Sequence, residues 1–72
     1  MRRFDAAALF VALDARRAER GLTWSQVARE TGVSVATIKR TEAAGRMEVD
    51  GMLALVGWLG VPVERFVRES DR

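Results

Sequence analysis

The sequence has no cysteine, no histidine and no tyrosine, and its 72 residues include a single proline. Without thiols and imidazoles, disulfides, thiolate chemistry and imidazole-based metal sites or acid–base catalysis are excluded. The acidic residues, Asp14, Glu19 and Glu30 among them, follow no metal-ligand spacing, and so short a chain leaves little room for a substrate pocket. We therefore expect no enzyme, no metal, no cofactor and no small-molecule substrate.

A long apolar run is also missing. No run approaches the roughly 18 apolar residues of a membrane-spanning helix, and the basic start at Arg2 and Arg3 is not followed by the apolar core of a signal peptide. We expect a cytoplasmic protein with no membrane partner, folded as a single domain over residues 1–72 with a thin core.

Neither sign of charge dominates, since twelve basic residues stand against ten acidic ones. Eleven of the twelve basic residues are arginines, and a guanidinium fork matches phosphates and guanine edges better than an ammonium group does. Solvated arginines encoded by a GC-rich genome explain the same count equally well. The charge therefore gives only weak support for an anionic partner.

Local signals mark the ends of the first two helices. Asp5 can cap the alanine-rich stretch AAALFVALDARRAER, which predicts a helix to about Arg20 that stops at Gly21. The tetrapeptide TWSQ, which begins at Thr23, is a capping box that starts a second helix. Gly32 ends this helix after about two turns.

Three further helices follow. Ser34 can cap a third helix over residues 35–43, which the Ala44–Gly45 pair ends. A fourth begins near residue 49, has apolar residues at the 3.6-residue period and stops at Gly60. Pro62 stands in the first turn of a short fifth helix, VPVERFV. We expect an all-α, compact five-helix bundle with no strand, with frayed residues at the start and in the RESDR tail.

The second and third helices are joined by only three residues, Gly32, Val33 and Ser34, which is typical of a helix-turn-helix motif, here over about residues 23–43. Ala28 is small enough for two helices to cross closely, and Ile38 is apolar on the side that faces inward. The alternative is that any tight helical hairpin needs an alanine and a glycine, but the agreement of these positions across a five-helix pattern favours the helix-turn-helix motif.

In the stretches RRAERGLTWSQVARETGVSVATIKRTEAAG and LVGWLGVPVERF the chain resembles the Cro/repressor, or Xre, class of helix-turn-helix domains. The resemblance implies a lambda-repressor-like DNA-binding domain that binds double-stranded DNA, usually as a symmetric dimer. It implies a sequence-specific transcriptional regulator, most simply a repressor that occupies an operator. The alternative is a helix-turn-helix protein-interaction module, antitoxin-like or bound to a polymerase-associated partner.

In that family the third helix lies in the major groove. The residues carried over to this role, with the preceding serine, are Ser34, Val35, Ala36, Thr37, Lys39 and Arg40. Arg40 is the strongest candidate because it can contact guanine O6 and N7 together. Val35 and Ala36 can contact thymine methyl groups or simply permit a close approach. A solvated charged face is the alternative for Lys39 and Arg40.

The family also has phosphate contacts at the start of its second helix, where this chain has Trp24 and Ser25. Trp24 replaces the commoner glutamine. Its indole N–H can donate to a phosphate, or its ring can form a lid on the first helix, and the sequence leaves both readings open. Arg46, beyond the third helix, is a further candidate phosphate contact.

Two more features follow from the resemblance. Arg17 and Glu42 occupy the positions of an ion pair that orients the third helix. Thr31 and Thr41 replace larger aliphatic residues, which predicts looser packing.

The dimer interface is expected at Trp58, Val61 and Val63, because Trp58 lies off the core face of the fourth helix and would form an exposed apolar patch with the two valines. The alternative is that Trp58 packs on the last helix near Phe66.

Overall fold

A computed structural model describes residues 1–43 and 47–69 of the chain. Within these ranges it contains four α-helices, one short 3₁₀ helix and a two-stranded antiparallel sheet. In chain order the elements are β1 (Arg2–Phe4), α1 (Ala6–Glu19), α2 (Trp24–Thr31), α3 (Val35–Glu42), α4 (Val49–Leu59), the 3₁₀ helix (Val63–Phe66) and β2 (Val67–Glu69).

The predicted helix starts are confirmed because each depends on residues close in sequence. The Asp5 side chain accepts a hydrogen bond from the Ala8 N–H at 3.0 Å and caps α1. At the start of α2, Thr23 accepts from the Gln26 N–H at 3.1 Å, and the Gln26 side chain accepts from the Thr23 N–H at 2.7 Å. This reciprocal pair is the capping box that the sequence predicts. The predicted end of the third helix, at Ala44–Gly45, lies outside the described residues.

The core lies where α1 meets α3 and α4. Its members are buried apolar side chains from all four α-helices, the helix-turn-helix connection and the 3₁₀ helix: Leu9, Leu13, Val27, Val33, Ile38, Leu55, Val56, Leu59 and Phe66. A fully buried Leu or Ile side chain stabilises a fold by about 1.5–3 kcal/mol relative to exposure. The core is small, so most of its members matter for stability.

The prediction of five α-helices and no strand is wrong at the two ends of the chain. The predicted fifth helix is a single 3₁₀ turn, after which Val67 continues into β2. Strand β2 pairs with β1 in antiparallel register, with Arg2 opposite Glu69 and Phe4 opposite Val67. The first residues are therefore paired instead of frayed, and of the RESDR tail the first two residues belong to β2, while residues 70–72 lie outside the described part.

Two contacts between the chain ends explain this correction. The Asp5 N–H donates to the Phe66 carbonyl at 2.7 Å, and the rings of Phe4 and Phe66 lie 6.0 Å apart between centroids. These contacts bring the segment before α1 alongside the segment after Phe66. Both segments are extended and form backbone hydrogen bonds with each other, and residues 67–69 would lose these bonds if they continued the last helix.

Candidate nucleic-acid interface

The helix-turn-helix connection is built as the sequence predicts. Gly32 ends α2 at φ 75°, in the left-handed region that glycine adopts without strain, and its N–H donates to the Ala28 carbonyl at 2.8 Å. Ser34 then caps α3 by accepting from the Thr37 N–H at 3.2 Å. Only residues 32–34 separate the two helices, and this fixes the direction of α3 relative to α2.

Sequence reasoning missed the role of Thr31 in this turn. Its hydroxyl donates to the Val27 carbonyl at 2.9 Å and accepts from the Val33 N–H at 3.2 Å, so it joins the last turn of α2 to the connection. Thr41 is fully buried, and its hydroxyl donates to the Ile38 carbonyl at 2.6 Å. Both threonines thus satisfy their hydroxyls within the backbone, where the sequence predicted only looser packing.

The predicted base-facing residues of α3 differ in exposure. Ala36, Lys39 and Arg40 are exposed, and their spacing of three and four residues places them on one face of the helix. Val35 and Thr37 are half-buried at its edges. The helix therefore presents a narrow outward face that carries two cations and one small residue.

Three further predicted DNA-contact residues are Ser25, Ser34 and Arg46. Ser25 is exposed on the first turn of α2. The Ser34 hydroxyl is already engaged, because it donates to the Thr37 hydroxyl at 2.9 Å in addition to capping α3. Arg46 lies outside the described residues.

Trp24 forms a lid on the first helix, one of the two readings that the sequence left open. Its ring stacks on Phe10 of α1 with centroids 5.2 Å apart and planes 21° apart. Two cations lie near the same ring: the Arg17 guanidinium carbon is 5.0 Å and the Lys39 Nζ is 5.2 Å from its centroid. We call Phe10, Trp24, Arg17 and Lys39 the aromatic–cation cluster, and it joins α1, α2 and α3 at the edge of the outward face.

The predicted ion pair between Arg17 and Glu42 is absent. Arg17 instead donates to the Asp14 carboxylate at 2.7 and 3.1 Å and to the Leu22 carbonyl at 2.9 Å. Glu42 is exposed and makes no ion pair with any residue in the described ranges. Asp14 lies one helical turn before Arg17, so it reaches the guanidinium without bringing a side chain across from α3.

On the other side of α3 a groove separates this helix from the start of α4. It is lined by Arg40 from α3, by Asp50 from α4 and by Glu48, the N-cap residue before α4, together with residues 31–34 around the turn. Carboxylates therefore lie on the α4 side of the outward face, while the aromatic–cation cluster lies on the α1 and α2 side. The outward face of α3 thus has acidic residues on one side and basic residues on the other.

Trp58 is half-buried, and its indole N–H donates to a Glu30 carboxylate oxygen at 2.8 Å, the same oxygen to which Arg20 donates at 3.0 Å. The Arg20 guanidinium also lies 5.6 Å from the Trp58 ring centroid. The hydrogen bond from Trp58, followed by that from Arg20, holds the pKa of Glu30 below its ordinary value. Trp58 is thus not a freely exposed patch: it joins α4 to Glu30 of α2 and to Arg20, the C-cap residue of α1.

The other two predicted interface residues, Val61 and Val63, are half-buried at the end of α4 and the start of the 3₁₀ helix. Within residues 1–43 and 47–69, no group of three or more acidic residues is arranged to hold a metal ion. None of the helices described there is both long enough and apolar enough to span a bilayer.

A capped helix pair with a three-residue turn, whose second helix presents an exposed basic face, defines a helix-turn-helix protein. Comparison with protein families matches residues 13–50, more than half of the chain, to the Cro/C1-type, Xre-like helix-turn-helix family. The chain belongs to this family, and it is a DNA-binding helix-turn-helix protein. The searches of curated proteins and of solved structures each gave no match.

Proposed function

We propose that this protein is a sequence-specific transcriptional regulator that represses by occupying an operator in double-stranded DNA. The observation that carries the proposal is the outward face of α3, where Lys39 and Arg40 are exposed on a helix held by a tight turn. A helix so mounted can enter the major groove while α2 crosses the backbone. Occupying DNA in this way needs no catalytic group.

In this proposal Arg40 reads bases, because its guanidinium can donate to guanine O6 and N7 together. The small exposed side chain of Ala36, beside half-buried Val35, allows the helix backbone to come close to the bases and to thymine methyl groups. Ser25, exposed on the first turn of α2, would contact the phosphate backbone, and Arg46, which follows α3 in the sequence, is proposed as a second phosphate contact.

The regulator is further proposed to bind as a homodimer through Trp58, Val61 and Val63. All three are half-buried in the monomer, so each retains apolar surface that a second copy could cover. The Trp58 ring is held in place by Glu30, which lowers the entropic cost of using it in an interface. A two-fold dimer requires a palindromic operator with half-sites about one DNA turn apart.

Selection of bound sequences from a random duplex pool tests the proposal directly, because it reveals base preference and any palindrome together. On the selected site, Arg40→Ala is expected to cost about 1–3 kcal/mol and to relax the preference at one base pair. Arg46→Ala is the matched control: it should weaken binding to all duplexes alike and lower the salt slope by about one.

Retention of the full base preference by Arg40→Ala would remove the main support for sequence-specific regulation through α3. Selection of a site without two-fold symmetry, bound by a single copy, would overturn the proposed dimer.

A helix-turn-helix protein-interaction module is the second candidate. Glu48 and Asp50 beside Arg40, and a net charge of only +2, favour it, since carboxylates next to the outward face repel phosphates. Affinity for duplex DNA that falls steeply with salt would decide for the regulator, whereas affinity that is weak at every salt concentration would favour the interaction module.

A further inference from the structure

We propose that Lys39 contacts the phosphate backbone and does not read bases, and that the stacked rings of Phe10 and Trp24 hold its ammonium group in that place. The proposal rests on the proposed function, because it assigns roles within the complex with DNA. It makes Trp24 a positioning residue that acts on DNA through Lys39.

The direction of the Lys39 side chain is the first argument. Lys39 leaves α3 from the same exposed face as Arg40, yet its Nζ lies 5.2 Å from the ring centroid of Trp24 on α2 and 5.9 Å from that of Phe10 on α1. Both distances are within the roughly 6 Å over which an aromatic ring attracts a cation. The side chain therefore extends from α3 back toward α1 and α2, to the edge of the face.

Arg40 follows a different course. It lines the groove between α3 and α4, and in the described part of the chain it contacts no aromatic ring and no carboxylate within ion-pair distance. Lys39 and Arg40, although adjacent in α3, thus extend to different sides of the helix. Arg40 remains available to the bases, whereas Lys39 would have to leave two rings to reach them, with a loss of roughly two- to fivefold in affinity for each contact.

The charges around the cluster support the same assignment. Arg17, the other cation at the Trp24 ring, is largely neutralised by Asp14 at 2.7 Å. Lys39 has no carboxylate partner among the described residues, and the carboxylates of Glu48 and Asp50 line the groove on the opposite side of α3. The α1 and α2 side of the face therefore carries the charge that a phosphate requires.

The chemistry of lysine fits this role. An ammonium group is a compact point charge that binds a phosphate from many directions, whereas base reading depends on the planar fork of arginine or an amide. Holding the flexible lysine stem on two rings reduces the conformational freedom it would otherwise lose on binding.

The test measures equilibrium binding to the selected duplex, and to duplexes with each base pair replaced, over a series of salt concentrations. Lys39→Gln is expected to lower affinity roughly tenfold near 0.1 M salt, to reduce the salt slope by about one and to leave base preference unchanged. Lys39→Arg should retain the salt slope. Arg16→Gln is the charge-matched control, because Arg16 lines a cavity with Leu59 and Phe66 on another side of α1, and it should keep the wild-type slope.

Substitutions of Trp24 distinguish a residue that positions Lys39 from one that only stabilises the fold. Trp24→Leu should lower affinity two- to fivefold in the wild-type protein and have no effect in the Lys39→Gln protein, while Trp24→Phe, which keeps an aromatic face, should restore binding. Circular dichroism at the assay temperature identifies any variant that fails to fold, and Lys39→Gln, at an exposed position, is expected to fold.

Three results would overturn the inference. A change of base preference in Lys39→Gln would make Lys39 a reading residue. An equal effect of Trp24→Leu with and without Lys39 would make the tryptophan purely structural. If the wild-type protein bound no duplex at all, both this inference and the proposed function would be wrong, whereas either of the first two results leaves the proposed function intact.

Discussion

The replacement of Arg17 by methionine tests how the first helix is joined to the helix-turn-helix pair. Methionine keeps an unbranched apolar stem but removes three interactions of the guanidinium. These are the hydrogen bond to the Leu22 carbonyl at 2.9 Å, the ion pair with Asp14 at 2.7 Å and the contact with the Trp24 ring at 5.0 Å. Each of the three interactions has a typical strength, and together they set the expected loss of stability.

The hydrogen bond is made by a charged donor whose side chain is only 26% exposed, so it contributes about 1–2 kcal/mol. The contact with Trp24 adds about 0.5–1 kcal/mol. The pair with Asp14, which is 48% exposed and one turn away, adds about 0.3–0.5 kcal/mol. We therefore expect Arg17→Met to lower the free energy of unfolding by about 2–3.5 kcal/mol, with Asp14→Asn costing less than about 0.5 kcal/mol.

Urea unfolding followed by circular dichroism measures these changes, and in a domain of this size each kcal/mol lowers Tm by about 4–8 °C. Arg16→Met is the matched control: among the described residues, the one ion pair of its guanidinium is a 3.8 Å pair with exposed Glu19, so the change should alter stability by less than about 0.5 kcal/mol. Glu42→Gln should be nearly neutral. A loss above about 1 kcal/mol in Glu42→Gln that disappears in the Arg17→Met background would show that Arg17 acts through Glu42, and would refute the reasoning.

Two further predictions concern hydroxyl and carboxyl groups. Thr31→Val should lower the free energy of unfolding in urea by about 1 kcal/mol, because the Val33 N–H loses its acceptor. Thr41→Val should be close to neutral, because the buried hydroxyl that it removes donates to the Ile38 carbonyl within the same helix. Equal losses of stability in the two variants would contradict this assignment. The pKa of Glu30 is lowered in the folded protein, so its stabilising effect is present above the ordinary glutamate pKa of about 4.3 and is lost as the pH falls through the lowered value. Wild type should thus exceed Glu30→Gln in stability at neutral pH, and the difference should close in acid; a difference independent of pH would argue against the Glu30 hydrogen bonds with Trp58 and Arg20.

The starts of the four α-helices and the end of α2 could be predicted because the groups that set them are neighbours in sequence. The capping box of Thr23 and Gln26 lies within four residues, and Gly32 adopts its left-handed conformation whatever packs around it. The three-residue connection to Ser34 follows from these two signals. The candidate base-facing residues of α3 came from the family resemblance, and of these Ala36, Lys39 and Arg40 are exposed on one face of the helix.

Side-chain partners were harder to predict because several acceptors compete for one donor. Arg17 could pair with Glu42 across two helices or with Asp14 in its own, and only the positions of the backbones decide that Asp14 and the Leu22 carbonyl win. For Trp24 the sequence left open a phosphate contact or a lid on the first helix, and the structure shows the lid, because the Trp24 ring stacks on Phe10 of α1 with centroids 5.2 Å apart. A single exposed ion pair or cation–π contact contributes only about 1 kcal/mol or less, and a sequence pattern does not resolve energies of that size.

The sequence by itself determined the parts of this protein that depend on short-range geometry: four helix starts, the turn at Gly32 and the basic outward face with Arg40. Tertiary structure alone decided the pairing of β1 with β2, because residues 2–4 and 67–69 lie at opposite ends of the chain and gain their hydrogen bonds only when the core brings the ends together. It also decided the place of Lys39, whose ammonium group reaches rings contributed by two other helices. Caps act within one turn of backbone, whereas strand pairs and ring contacts require elements that only the folded core sets side by side.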